Sequence, residues 1–409
     1  MVGPGRSVTL IGSSVRAAAA DAKRAGYHVT AIDRYGDRDL LSLCDRWVEY
    51  DPNDQWMSQL PPGPVVPLGG FQWPADDGCF GSRLVAFPSL HQLAKLDCPA
   101  WLAAVAAECG IGFPETRYRV QGQSQPIIQS AVGAPLRTNQ WLRKPRIHGG
   151  GVGITIAEEA SAPPPEQSLQ SRLRGVPLGA NFIAYARDGR HDTQLLGVFR
   201  GLTYRGNPAH PFLYGGSFGP VPLCEPVVSA IELLGQTIAE QLPLRGLFNV
   251  DLILAADGRL ALIEVNPRYS ASMELIPITC LTPPALIVWH LKCYQTCDSL
   301  ADEIACFVNE RRHTPTATVA CKRIIYAKTT SHPSDLRSTI QRSHVGVTDR
   351  SQGTTWRYCD LPRDEATIAV GDPICTLIVS GADHHRECIR LSASRLNHAR
   401  PSKRSPAAR

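Results

Sequence analysis

The stretch FNVDLILAADGRLALIEVNPR, residues 248–268, predicts a β-hairpin. Two runs of mostly branched apolar residues, VDLIL and LALIEV, flank the dipeptide Asp257-Gly258. An Asp-Gly pair between such runs is the strongest short-range signal for a tight turn that joins two antiparallel strands. We therefore place one strand on each side of this turn, and we expect the rest of the fold to be organised around the pair.

Three side chains with oxygen atoms interrupt the apolar pattern of this hairpin. Glu264 and Asn266 lie two residues apart and so point to the same face of their strand, while symmetric pairing across the turn places Asp251 beside Glu264. Two carboxylates and an amide among Leu, Ile and Val are costly to bury without a cation, and oxygen ligands suit Mg²⁺ or Mn²⁺. Arg268 follows with a guanidinium that can clamp an anion. The alternative is a hairpin whose polar residues face water.

A second stretch, WLRKPRIHGGGVGI at residues 141–154, combines Lys144 with a glycine-rich loop. The loop contains the glycines Gly149, Gly150, Gly151 and Gly153. Glycines let backbone N–H groups approach phosphate oxygens, and a lysine supplies a point charge to the same phosphates. The spacing is not that of a P-loop, and a glycine run alone is also typical of a plain flexible turn.

Together the two stretches resemble the ATP-grasp superfamily, and most closely its predicted ATP-dependent carboligases related to biotin carboxylase. In that superfamily a strand lysine and a glycine-rich flap cover the triphosphate of ATP. A later pair of strands, which ends in an E-x-N-x-R pattern, holds the magnesium ions. The matching residues occur here in the same order, and they are Lys144, the four loop glycines, Asp251, Glu264, Asn266 and Arg268.

The resemblance implies a ligase that uses ATP and Mg²⁺ (or Mn²⁺), activates a carboxylate as an acyl phosphate and joins it to an amine. Lys144 and Arg268 are then the catalytic residues. Asp251, Glu264 and Asn266 are the metal ligands. By position, the segment that contacts adenine is Gln170, Ser171, Arg172 and Leu173, although a glutamate is common where Ser171 stands.

The N-terminal stretch, residues 7–34, predicts a β-α-β unit with two parallel strands. Ser13 and Arg16 fall at the start of its helix, where an acidic substrate group would bind, although a purely structural helix start is an equal alternative. Gly70 lies in a turn after a later strand, at the crevice of such sheets. Ser270 completes the set of substrate candidates, because the resemblance implies that its segment faces the phosphorylated substrate.

Three other functions are open at this point. Asp33 lies about twenty residues after the turn at Gly12, as in NAD(P)-dependent oxidoreductases, but Ser14 and Ala17 stand where two glycines of that fingerprint belong. A bicarbonate-using carboxylase would share the ATP chemistry. A catalytically silent ATP-binding protein would retain the same fold.

The order of these patterns predicts an α/β fold, of the α+β ATP-grasp type, in three units with a tail. We expect a Rossmann-like domain at 1–95, an ATP-grasp domain at 96–290, a small β-rich domain at 291–390 and a disordered basic tail at 391–409. Within the β-rich domain, the apolar run 366–370 predicts one of the strands.

Composition places the chain among ordinary globular proteins, with 43% hydrophobic and 19% charged residues and a net charge of +5 over 409 residues. We expect a cytoplasmic protein whose partners are small-molecule carboxylate and amine substrates, with no membrane or nucleic-acid partner. A homodimer is left open. The 13 cysteines are scattered and odd in number, which favours reduced thiols over disulfides.

Two further groups have weaker signals. Lys95 is a candidate for a second phosphate contact, although a solvated surface lysine is preferred. Four side chains of the types that bind zinc occur within 17 residues of one another, but their spacing is not one of the strong paired patterns. They are His290, Cys293, Cys297 and Cys306.

Overall fold

The structure of the chain is a computed structural model. It describes residues 6–51, 56–72, 80–120, 123–124, 137–145, 149–158, 163–164, 167–295, 299–313, 318–330, 332–333, 347–349 and 354–382, and every statement below refers to these residues. The predicted basic tail and Cys297 lie outside them. None of the helices in these ranges combines the length and the apolar character that crossing a membrane requires.

The N-terminal unit is a parallel four-stranded sheet with the order β3-β2-β1-β4. Val8, Leu10 and Ile11 of the first strand are buried, as their continuous apolar run predicts for a strand covered on both faces. A 3₁₀ turn spans Trp56–Gln59. The strands and helices are β1 (Ser7–Gly12), α1 (Arg16–Arg24), β2 (His28–Asp33), α2 (Arg38–Leu43), β3 (Arg46–Glu49) and β4 (Val65–Pro67).

Two helices, α3 (Leu90–Leu96) and α4 (Pro99–Glu108), lead into a small antiparallel sheet that holds Lys144. Its strand order is β5-β10-β8-β9, and β6 and β7 form a separate short hairpin. These strands are β5 (Thr116–Arg117), β6 (Arg119–Val120), β7 (Gln123–Ser124), β8 (Arg137–Pro145), β9 (Thr155–Ala157) and β10 (Gln167–Leu173).

A nine-stranded antiparallel sheet holds the predicted hairpin at one edge, in the order β15-β14-β11-β12-β13-β16-β19-β18-β17. The hairpin prediction is confirmed, because its two strands pair with Asp251 opposite Glu264. The elements of this region are β11 (Val176–Arg187), β12 (Arg190–Thr203), β13 (Tyr214–Gly219), α5 (Glu225–Gln241), β14 (Gly246–Leu254), β15 (Leu260–Asn266), 3₁₀ turns at Ala271–Leu275 and Pro277–Thr279, α6 (Leu286–Tyr294), α7 (Leu300–His313), β16 (Thr318–Tyr326), β17 (Val347–Asp349), β18 (Thr354–Cys359) and β19 (Pro373–Ala382).

Apolar side chains cover both faces of the large sheet. On one face Phe182 stacks on Phe248, with ring centroids 4.9 Å apart, and Ile231 of α5 packs in the same cluster. On the other face Ile183 and Leu247 share a cluster with α6 and with the N-terminal unit. The sheet is therefore the central layer, and the α/β fold predicted from the sequence is confirmed.

The C-terminal strands continue the large sheet, because β16 pairs with β13. The prediction of a strand at residues 366–370 is wrong. Backbone N–H groups of Ala366 and Asp372 bond to carbonyls three residues earlier, which bends this segment into turns. The sheet position beside β19 is filled instead by β18, which the sequence pattern did not predict.

Candidate active site

An acidic pair lies on one face of the hairpin. Asp251 and Glu264 are directly opposite in the strand register, so their side chains project together. The amide nitrogen of Asn266 donates to both carboxylates, at 3.2 Å to Asp251 and 3.1 Å to Glu264. Gly179 is opposite Asp251 on the other neighbouring strand, and a β-carbon there would lie 3.6 Å from Oδ1 of Asp251 and 3.0 Å from Nδ2 of Asn249.

The two carboxylates titrate differently. Burial, and next the adjacent Glu264 carboxylate, raise the pKa of Asp251 well above its usual value. Burial alone would also raise the pKa of Glu264, but Lys144, Asn266 and Arg268 act in the opposite direction and lower it. The opposite shifts are those expected of two closely spaced carboxylates, of which one holds its proton more tightly than the other.

Lys144 reaches this pair from the small sheet. Its Nζ lies 3.5 Å from Oε2 of Glu264 and 3.3 Å from Oε1 of Gln170, and its side chain is only 15% exposed. Gln170 also donates from Nε2 to the Thr116 hydroxyl at 3.2 Å. Gln170 thus holds the lysine with one end of its amide and is itself held at the other, a role that the sequence did not indicate.

The glycine-rich loop lies against the segment that precedes β13. Gly150, Gly151 and Gly153 all have positive φ, at 67°, 78° and 74°, which favours glycine. A β-carbon on Gly151 would lie 2.0 Å from the carbonyl oxygen of Phe212, so a side chain has no room. Backbone bonds complete the contact, since the Tyr214 N–H donates to the carbonyl of Gly150 at 2.8 Å.

Arg268 lies between two other parts of the chain. A β-carbon placed on Gly149 would be 3.5 Å from its Nη2, and one placed on Gly69 would be 3.9 Å from its Nε. Burial lowers the pKa of Arg268, while Glu264 and Asp251 oppose that shift. Its guanidinium makes no hydrogen bond or ion pair with any residue in the described ranges, so the group is available to an anion.

Two of the substrate candidates, Ser13 and Gly70, lie in contacting turns at the ends of parallel strands. The backbone N–H of Ser13, after β1, donates to the carbonyl of Gly69, after β4, at 2.8 Å. Gly70 has a φ of 81°, and a β-carbon there would lie 1.8 Å from the Ser13 hydroxyl. Because Gly69 also borders Arg268, these turns form the N-terminal wall of the site.

The other two candidates are engaged by the protein itself. Arg16 is 3% exposed, and its guanidinium pairs with Glu274, Asp360 and Asp39. The Ser270 hydroxyl donates to Oδ1 of Asn181 at 2.9 Å. Neither arrangement directs these two side chains towards an open substrate position, and their role in substrate binding stays a prediction.

The remaining adenine candidates lie on β10 beside Gln170. Ser171 is buried, and its hydroxyl makes no hydrogen bond to a described residue, so the group can still donate to a ligand. Arg172 lies over the ring of Phe212, 5.5 Å from its centroid. Leu173 pairs with Arg137 at the end of the strand.

Two buried charges near the site were missed. Glu274 binds the Nζ of Lys322 at 2.7 Å, and both side chains are less than 10% exposed. The signal in the sequence is a charge inside an apolar run, SMELI for Glu274 and TVACKRII for Lys322, which Arg323 follows directly. A charge in such a run is buried only when it has a partner, but the run does not name that partner.

His290 is engaged by backbone groups rather than positioned for zinc. Its Nδ1 accepts the Leu247 N–H at 2.9 Å, and its Nε2 donates to the Ala86 carbonyl at 2.8 Å. Burial raises the pKa of the Cys293 thiol to about 12, and Cys306 is exposed on α7. With both ring nitrogens in use, His290 has no lone pair free for a metal.

We expect His290→Leu to reduce the free energy of unfolding by about 2–4 kcal/mol, because two buried backbone groups lose their partners. Burial lowers the pKa of His290 to about 4, from an ordinary value of 6.5. The unfolded chain therefore takes up this proton first, and the stability that the neutral ring contributes is present above pH 6.5 and is lost as the pH falls towards 4.

Urea unfolding between pH 4 and 7.5 tests this prediction. The wild type should lose stability more steeply than His290→Leu between pH 6.5 and 4. His91→Leu, an exposed histidine on α3, is the matched control and should follow the wild type. Equal pH dependence in the wild type and His290→Leu would contradict the prediction.

Two other sequence candidates are also resolved by their contacts. The carboxylate of Asp33 is fully buried and accepts the backbone N–H groups of Val15, Tyr35 and Gly36, each at 2.8 Å. It is therefore not presented to the ribose of a dinucleotide. Lys95 is exposed in the last turn of α3, as expected of a solvated surface lysine.

The acidic pair fits Mg²⁺ better than a metal with a larger protein ligand set. Among the described residues, no group of three or more His, Cys, Asp or Glu side chains is placed to hold a metal ion. Two carboxylates with one amide form the small oxygen set that Mg²⁺ uses together with substrate phosphates. For the amide oxygen of Asn266 to join them, its side chain must rotate, because its nitrogen faces both carboxylates.

The part of the chain that holds this site matches a known family model. Residues 113–272 match the family model described as the ATP-grasp domain. This segment includes Lys144, the glycine loop, the acidic pair and Arg268. No curated protein matches the chain in sequence.

Solved structures share the fold over nearly the whole chain. N5-carboxyaminoimidazole synthetase from Staphylococcus aureus, solved with ADP, has a TM-score of 0.64 at 10% identity over 96% of this chain and 97% of its own. L-amino acid ligase from Bacillus licheniformis has a TM-score of 0.63 at 14% identity over 97% and 98%. The biotin carboxylase domain of 2-oxoglutarate carboxylase from Hydrogenobacter thermophilus has a TM-score of 0.65 at 14% identity over 97% and 90%.

Residues 113–272 are therefore assigned to the ATP-grasp domain. The family match covers the site, and the structural likeness extends to the N-terminal unit and to the C-terminal strands. The resemblance stated from Lys144 and the E-x-N-x-R pattern is confirmed.

Proposed function

We propose that this protein is an ATP- and Mg²⁺-dependent ligase that activates a carboxylate as an acyl phosphate and joins it to an amine. The observation that carries the proposal is the convergence of Lys144, the Asp251–Glu264 pair and Arg268 at one point. Three separate parts of the fold meet there, namely the small sheet, the large sheet and the N-terminal turn at Gly69.

The nucleotide would lie between the two sheets. Backbone N–H groups of the glycine loop and the Lys144 ammonium would bind its phosphates, and the free hydroxyl of Ser171 with its neighbours on β10 would face the base. Asp251, Glu264 and Asn266 would hold Mg²⁺, which supplies neutralisation of phosphate charge when bound. Gln170 keeps Lys144 in place at 3.3 Å before the nucleotide arrives.

Arg268 would act on the transferring phosphoryl group. A carboxylate oxygen of the substrate forms a bond to the γ-phosphorus while the bond to the β,γ-bridging oxygen breaks, which yields ADP and an acyl phosphate. An amine then attacks the acyl carbon, phosphate leaves and the amine loses a proton. A guanidinium with no partner among the described residues stabilises the negative charge of both steps, and the fixed groups supply mainly positioning.

The structural neighbours support the use of ATP and leave the acceptor open. Those solved with ligands contain ADP, MgADP or bicarbonate, and the neighbours include both an amino acid ligase and carboxylases. The biotin carboxylase domain from Hydrogenobacter thermophilus is a dimer, which is consistent with the homodimer that we left open. We place the protein in the cytoplasm as a prediction.

The decisive experiment measures Mg²⁺-dependent release of ADP and phosphate from ATP, with pools of carboxylic acids and amines added separately and together. Release that needs both an acid and an amine supports the proposal. Release with bicarbonate alone would instead assign carboxylase chemistry. ATP binding without release under any pool would contradict the ligase assignment for those substrates.

We expect Lys144→Ala to weaken ATP binding by about 10- to 100-fold, because one charge-assisted phosphate contact is lost. The matched control is Lys95→Ala, which removes an exposed lysine from α3 and should bind ATP as the wild type does. Isothermal titration calorimetry with a non-hydrolysable ATP analogue measures both affinities. Equal affinities in the two variants would show that Lys144 does not contact the phosphates.

A further inference from the structure

A group of buried charges lies where the N-terminal unit, the large sheet and the C-terminal strands meet. Arg16 is on α1, Glu274 is in the turn Ala271–Leu275, Lys322 is on β16 and Asp360 follows β18. The side chains of the first three are only 4%, 5% and 8% exposed. Charges buried to this extent are tolerated only when each has a partner.

Glu274 is the centre of this group. Its Oε1 accepts from Nη1 of Arg16, and its Oε2 accepts from Nζ of Lys322 at 2.7 Å. Although burial alone would raise its pKa, Arg16 and Lys322 together hold the pKa of Glu274 far below the usual value. The carboxylate is therefore ionised at neutral pH. It pairs with Arg16 on α1 and with Lys322 on β16.

Arg16 extends the connection to the C-terminal strands. Its Nε and Nη2 donate to the two carboxylate oxygens of Asp360 at 2.8 and 3.2 Å. Asp360 has a φ of 54°, which non-glycine residues rarely adopt, and the carboxylate of Asp39 accepts the N–H groups of Asp360 and Leu361. A strained backbone that is held this way favours a fixed geometry at the junction.

The segment 268–275 is anchored at both ends. Near its start, the hydroxyls of Ser270 and Ser272 donate to Oδ1 of Asn181 on β11, at 2.9 and 3.1 Å. Near its end, Glu274 holds Arg16 and Lys322. Arg268 lies two residues before the first anchor, so the position of its guanidinium depends on how this segment is held.

We propose that Glu274 is a positioning residue: through its pairs with Arg16 and Lys322 it holds the segment 268–275, and thereby Arg268, over the acidic pair. The inference rests on the proposed function, because Arg268 acts there on the transferring phosphoryl group. Glu274 acts through Arg268 and contacts neither nucleotide nor substrate.

The test compares Glu274→Gln with a matched control, Asp21→Asn. Asp21 is also a buried carboxylate of 4% side-chain exposure that pairs with an arginine, but it joins α1 to α6 by accepting the Ile287 N–H. We expect kcat for ATP turnover to fall by about 30- to 100-fold in Glu274→Gln, with the KM for ATP unchanged, because a displaced catalytic group slows the chemical step. Asp21→Asn should keep the wild-type kcat.

Hydrogen–deuterium exchange supplies a readout that needs no reaction. Exchange of residues 266–276 should accelerate in Glu274→Gln and not in Asp21→Asn. If both variants show the wild-type exchange in this segment, or if both lose kcat in parallel with stability, the positioning role is overturned. Should Glu274→Gln fail to fold, Lys322→Met removes one of the two partners, and unchanged exchange in that variant also overturns the proposal.

Failure of the two proposals is distinguishable. A wild type that shows no ATP turnover with any acid and amine contradicts the proposed function. Hydrogen–deuterium exchange still tests the role of Glu274 in that case, since it measures how firmly the segment 268–275 is held in the free protein.

Discussion

Glu264→Gln is expected to reduce Mg²⁺-dependent ATP turnover by about 1,000-fold, equivalent to about 4 kcal/mol of transition-state stabilisation. The carboxylate is opposite Asp251, 44% exposed towards the cleft, and within 3.5 Å of Lys144. A neutral amide removes one of the two negative charges that would hold the metal ion. Steady-state kinetics with a coupled ADP assay, at several Mg²⁺ concentrations, measures the loss.

The fold should tolerate this substitution. Neutralising Glu264 relieves its repulsion of the Asp251 carboxylate but also removes the charge that Lys144 and Arg268 face, so the two effects on stability oppose each other. We therefore expect the thermal midpoint of Glu264→Gln to stay close to that of the wild type. Lost turnover with lost stability would instead indicate a structural residue.

Asp257→Asn is the matched control for Glu264→Gln. Asp257 occupies the turn of the same hairpin, where its carboxylate is about half exposed and pairs only with Arg259 within the part of the chain that the structure describes. Surface pairs of this kind contribute little to stability. Turnover by Asp257→Asn should match the wild type, and an equal loss in both variants would contradict the assignment of the metal site to Glu264.

Arg268→Gln is expected to reduce kcat by about 100- to 1,000-fold while the affinity for ATP changes by no more than about threefold. Its guanidinium has no protein partner among the described residues and lies beside both Gly69 and Gly149, so it is placed to bind charge that develops between them. Arg268→Lys should recover only part of the loss, because an ammonium retains the charge but not the planar pair of donors.

Presteady-state quench-flow measurements separate the chemical step from nucleotide binding in these variants. Arg259→Gln, in the exposed turn of the hairpin, is the matched control and should retain the wild-type kcat. A rise in KM for ATP with unchanged kcat in Arg268→Gln would place this arginine in nucleotide binding and not in the transfer step.

Local patterns predicted which residues the structure brings together at the hairpin. Asp251, Glu264 and Asn266 could be placed on one face because strands have a two-residue period and because Asp257-Gly258 sets the register. The glycine loop and Lys144 were recognised for a similar reason, since the glycines are needed where the backbone adopts positive φ. These features depend on near neighbours in the sequence.

The partners of those residues could not be predicted in the same way. Gln170 was matched to the adenine segment by its position on the chain, and nothing in the sequence indicated that its side chain also holds Lys144. Arg16 was placed at the start of a helix facing substrate, whereas it binds Glu274, which is 258 residues away, and Asp360, which is 344 residues away. A charged residue requires a partner when buried, but its own surroundings in the sequence do not specify which one.

The sequence by itself determined the hairpin, the loop, the α/β class and the chemical types of the site residues, because turn preferences and side-chain periodicity act over a few residues. Only the tertiary structure decided that β16 extends the large sheet, that His290 binds two backbone groups and that Glu274 joins three parts of the fold. These contacts arise when surfaces distant in sequence are buried together, and each buried polar group must then find its partner in space.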